Sequence, residues 1–103
     1  MLGFALEETR LGRSMGRVAF SAVAKVIGES GAMALASSVD YELLSRDPVK
    51  FDGMLRRVFS SGSRVIENTI VDELYSTSGL RRSGRESDFA DAVLTFTLLA
   101  RGR

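Results

Sequence analysis

The sequence predicts an all-α domain of four or five helices, and three observations carry that prediction. Apolar residues recur at three- and four-residue spacing along most of the chain. Asp47 and Pro48 together spell a helix start. Glycine and serine clusters fall between the periodic stretches. With 103 residues, 45% hydrophobic, 26% charged and a single proline, the chain has the make-up of one compact domain, residues 1–103. At 11.2 kDa a folded monomer exposes about 5,700 Å², roughly a third of what its extended chain exposes. A real core follows, but a small one, to which a partner subunit would add.

The periodicity is clearest from Pro48 to about Phe59, where Phe51, Met54, Leu55, Val58 and Phe59 fall on one helical face. Asp47 is a good N-cap, and proline suits the first helical position because its missing N–H would have no intrahelical partner there. Ser60, Ser61 and Gly62 break the pattern, with Gly62 expected to take the left-handed conformation that closes many helices. A second helix is predicted from about Ser63 to Ser76, with Val65, Ile66, Ile70 and Leu74 facing inward and Val71 and Tyr75 widening the stripe. Arg64, Glu67, Asn68, Asp72 and Glu73 are assigned to the opposite, solvated side. The short connection makes residues 48–76 a central αα-hairpin.

Upstream, Arg17 to Ile27 is apolar nearly all round, relieved only by Arg17, Ser21 and Lys25 on one stripe. Gly28 to Gly31 reads as a turn, and helical spacing resumes from Ala32 through Leu35, Ala36, Val39 and Leu43, stopping near Tyr41. Gly3, Gly12 and Gly16 dilute the first sixteen residues, where a short, frayed helix is expected around Ala5 to Leu11. Residues 77–85 read as a polar internal linker. Beyond it, Ser87 or Asp88 can cap a last helix from Glu86 to Ala100, although Thr95, Phe96 and Thr97 also permit a strand.

Composition removes whole classes of chemistry. There is no cysteine and no histidine, which excludes disulfides, thiolate or imidazole metal sites and the Ser-His-Asp triad. Neither glycine-rich turn matches a phosphate-binding loop, and the carboxylates lack the spacing of a calcium loop. No cofactor or metal is therefore predicted. Ser21 and Lys25, the one Ser and Lys pair at helical spacing, read as the wet edge of a helix. An enzyme working with Asp and Glu alone would reveal itself by a carboxyl of elevated pKa in a closed pocket.

The longest apolar candidate is interrupted by Arg17, Ser21, Lys25 and Glu29, short of a bilayer span. Glu7 and Glu8 stand where a signal peptide needs an uncharged core, so the expected location is cytoplasmic. Net charge is +1, too small for an obligate polyanion-wrapping protein. Local clusters at Arg56 and Arg57, and at Arg81, Arg82 and Arg85, are the possible nucleic-acid contacts. The apolar excess on Arg17 to Ile27 and on the last helix, the latter through Phe89, Val93, Leu94, Phe96 and Leu98, predicts instead a non-enzymatic interaction module that associates with itself through those helices, most simply as a symmetric dimer.

Gly28, Glu29, Ser30 and Gly31, then Ala34, Leu35, Asp47, Pro48, Phe51, Leu55, Val58, Phe59, Gly62, Ile66, Glu67, Ile70, Glu73 and Leu74 together resemble a small all-helical archaeal family, the Nitrosopumilus output domain, type five. The likeness covers residues 24–79. It departs from the family pattern after Phe59, where Ser60, Ser61 and Gly62 stand instead of an immediate glycine. The resemblance implies an archaeal helical module connected with signalling or regulatory chains, and brings no catalytic residues.

Overall fold

A computed structural model describes residues 2–84 and 88–102, with side chains from Arg10 onward. Its first element is one continuous helix, α1 (Leu2–Ile27). The short helix expected at Ala5 to Leu11 and the apolar stretch from Arg17 are thus a single rod. Gly12 and Gly16 explain why glycine is tolerated within it. A Cβ on Gly16 would lie 3.3 Å from the Tyr41 carbonyl oxygen, and one on Gly12 would lie 2.9 Å from the Ser45 hydroxyl oxygen. These glycines let the segment after residue 36 cross α1 at close range.

Gly28 alone, at φ 87°, turns the chain. The turn expected over Gly28 to Gly31 is therefore shorter, because α2 (Glu29–Leu35) already begins at Glu29. Helical spacing after Ala32 does not persist to Tyr41. Ser38 and Val39 both donate backbone bonds to the Leu35 carbonyl and close α2. A turn follows, in which the Glu42 N–H donates to the Asp40 carboxylate (3.0 Å). It leads into the single-turn α3 (Leu43–Arg46).

The hairpin is present, but Val65, expected to face inward, is 61% exposed. α4 (Pro48–Phe59) opens with the Asp47 carboxylate accepting from the Lys50 N–H at 3.1 Å. One 3₁₀ turn, residues 60–62, joins it to α5 (Ser63–Ser78). The left-handed residue of that turn is not Gly62, whose φ is −68°, but Ser60, at φ 52° and ψ −125°. α5 runs two residues beyond expectation, into the segment read as linker, and Gly79 closes it in the left-handed conformation. The last helix is α6 (Phe89–Arg101), capped by the Asp88 carboxylate accepting from the Asp91 N–H at 2.8 Å. Thr95 to Thr97 are helical, and among the described residues there is no strand.

α1 packs against α2, α3 and α5, while α6 lies across α4 and α5. The core between them joins Met15, Ala19, Ala22 and Val23 to Leu44, Phe51, Leu55, Ile70, Leu74 and Val93. A chain of rings, Phe20 to Tyr41 to Phe51 to Phe89, with centroids 5.4, 6.5 and 6.1 Å apart, stitches α1 through the α2–α3 turn and α4 to α6. The Tyr41 hydroxyl donates to the Ala32 carbonyl (3.0 Å), fixing that turn over α2. No described helix is long and apolar enough to cross a membrane.

Candidate functional site

α6 has two apolar faces and buries one. Phe89, Val93 and Phe96 point inward, with Ala92 and Thr97 beside them. Phe96 meets Tyr75 of α5 edge-on at 5.3 Å. Three of the five residues expected on an interaction surface are therefore core residues of one copy. Inward orientation follows from helical geometry, since 89, 93 and 96 share one stripe. Leu94 and Leu98, four residues apart, remain 50% and 68% exposed, and Leu99 beside them 44%. The outer face is thus a leucine stripe flanked by Asp91 and Arg101.

The arginines of the two clusters have different partners. Arg56 is bonded through Nε to the Asp52 carboxylate at 3.0 Å, an i,i+4 pair along α4. Arg82 donates to Asp72 at 2.7 Å and ties the segment after α5 back onto it. Arg57 and Arg81 are exposed on separate elements, and Arg85 lies outside the described residues. Lys25, the partner of Ser21 in the one Ser and Lys pair, reaches across to the Glu73 carboxylate and links α1 to α5. Among the described residues no three carboxylates gather to hold a metal ion.

What the arginine pattern did not reveal is a cleft of about 550 Å³ at the tip of the hairpin, lined by Arg56, Ser60, Ser61, Ser63, Arg64 and Glu67. Glu67 had been assigned to the solvated side of α5. It is instead only 7% exposed, and its Oε2 is buried without a hydrogen-bond partner. Burial pushes its carboxyl up to about 8, helped by a hydrogen bond with Asp52 and by that residue's charge, against the opposing pull of Arg56 and Arg64. The signal was in the spacing: residue 67 lies four after Ser63 and three and four before Ile70 and Val71, all of them buried. An elevated carboxyl was the expected sign of acid–base chemistry, but here it faces an open cleft. A second, smaller cleft of about 300 Å³ lies between α1 and the α2–α3 turn, lined by Arg13, Arg17, Phe20, Tyr41 and Glu42.

The chain matches no family model, no curated protein and no solved structure.

Proposed function

We propose that this protein is a non-enzymatic interaction module that associates with itself through the outer face of α6. One observation supports this reading above the others: Leu94, Leu98 and Leu99 stay exposed on a helix whose opposite face already fills the core. Contiguous leucine on a folded surface marks a place where another surface belongs. A two-fold arrangement would bring the same stripe from each copy together.

The magnitude sets the kind of complex. Burying a leucine fully is worth about 1.5–3 kcal/mol, so covering the exposed half of six leucines recovers roughly 5–10 kcal/mol. Lost rotational and translational freedom costs about 4–15 kcal/mol. The balance is a weak, reversible dimer. A cytoplasmic setting and a regulatory role, which the likeness of residues 24–79 to the Nitrosopumilus output domain family implies, belong to the same proposal. A weak dimer is a contact that a regulatory chain can make and release.

Light scattering on variants tests it. Leu98→Glu should hold the protein at monomer mass where the natural sequence shows more, while Met33→Glu, an equally exposed site on α2, should leave the mass unchanged. Phe96→Glu is unsuited to this purpose because it would break the core. Equal masses for Leu98→Glu and the natural sequence, both above monomer, would remove α6 from the contact.

A further inference from the structure

The outer face of α6 carries a charge pattern as well as leucines. Asp91, Leu94, Leu98 and Arg101 fall three, four and three residues apart, which sets all four along one exposed stripe, opposite the buried Phe89, Val93 and Phe96. That spacing is the one found along the seam of two packed helices. The stripe is also symmetric about position 96. Leu94 and Leu98 stand two residues to either side of it, and Asp91 and Arg101 five, with opposite charges at the two ends. Two such stripes laid antiparallel about a two-fold axis at that level match throughout: each Leu94 meets the partner's Leu98, and each Asp91 meets the partner's Arg101. Laid parallel, they set Asp91 against Asp91 and Arg101 against Arg101. Both charged side chains hold contacts within their own copy as well. A carboxylate accepts, and a guanidinium donates, several hydrogen bonds, so each can take a second partner.

We propose that the protein dimerises by antiparallel pairing of α6 with α6 of a second copy, the leucines forming the centre of the contact and two reciprocal Asp91–Arg101 ion pairs closing its ends. This rests on the reading of α6 as the contact and adds its orientation and register. The leucines supply the attraction. The end charges select among the ways in which two apolar stripes can meet, because like charges oppose the parallel arrangement. A stripe that reads the same from either end, with its charges exchanged, is its own complement, and this favours a second copy of the chain over an unrelated partner.

Charge reversal tests the orientation separately from the association. Sedimentation equilibrium at low salt compares the natural sequence with Asp91→Lys, with Arg101→Glu, with the double variant, and with an equimolar mixture of the two single variants. In the antiparallel pair each single variant sets like charges together at both ends, and its dimer should weaken by about tenfold. The mixture sets opposite charges together at both ends and should recover the natural affinity, as should the double variant. A merely structural role predicts that the double variant is the worst of the set, since a lysine at the start of α6 and a glutamate at its end both oppose the helix dipole. The defects of the single variants should also shrink in about 0.5 M salt. If the natural sequence dimerises while either single variant dimerises equally well, or while the mixture stays as weak as its components, the antiparallel register is overturned and the α6 contact stands. A natural sequence that remains monomeric overturns both. Should the double variant fail to fold, the mixture still decides.

Discussion

Glu67 gives the molecule a pH signature that runs opposite to that of most carboxylates. Its folded pKa stands at about 8, above the ordinary 4.5, because burial disfavours the charged form. The folded state then binds a proton that the unfolded chain releases between those two values. Its contribution to stability is complete below about pH 4.5 and is lost as pH rises through about 8. Denaturant midpoints at the two ends of this window should therefore fall with rising pH in the natural protein. Glu67→Gln should flatten that dependence, and an unchanged slope would show that the carboxyl is not held neutral. Ser60 is the other residue under constraint. At φ 52° and ψ −125° it occupies a region suited to glycine, and such conformations cost about 1–3 kcal/mol. Ser60→Gly should stabilise the fold by about 1 kcal/mol after the added flexibility of the unfolded chain is counted, read as a higher thermal midpoint.

Among the elements, α1 shows what periodicity cannot report. Glycines that lower helix propensity looked like a reason for fraying, yet Gly12 and Gly16 sit where a neighbouring segment passes too closely for a Cβ. Alanine in a helix interior gains about 1 kcal/mol over glycine, and overpacking costs about 1–3 kcal/mol. At Gly16 the obstacle is the Tyr41 backbone, which cannot rotate away. At Gly12 it is the Ser45 hydroxyl, which can. Gly16→Ala should thus lower stability by about 1 kcal/mol while Gly12→Ala stays near neutral, an ordering that thermal melts of the two variants would check. α4 and α5, by contrast, were legible because their boundaries depend on local groups: the Asp47 cap, Pro48 and the serine-rich break. α2 ended early because the Leu35 carbonyl is taken by a turn, and nothing in the apolar spacing of Leu35, Val39 and Leu43 encodes that bond.

For the whole molecule, surface tells the same story as α6. The monomer exposes 6550 Å², more than the roughly 5,700 Å² that its mass predicts for a compact monomer. Exposed large apolar side chains lie on several helices, including Met33, Val49 and Val65, and α6 adds Leu94, Leu98 and Leu99 as one contiguous stripe. The sequence contained enough to call α6 overly apolar, but not which leucines would remain outside. That choice depends on Tyr75 and Phe51 meeting Phe96 and Phe89 from α5 and α4. The cleft was hidden for a related reason, since Arg56 and Glu67 are neighbours only after the hairpin closes. Exposed ion pairs such as Arg46 with Asp40 add little to this arrangement. The fold rests on its ring chain and the α1–α5 core, so charge changes on the outer face of α6 should alter association and leave folding intact.

Sedimentation equilibrium of the natural sequence, from about 10 μM to about 1 mM, examines that association most directly. The apparent mass should climb from 11.2 kDa toward twice that value as concentration rises, following a single monomer–dimer equilibrium. A mass that stays at the monomer value up to the highest concentration would contradict the account.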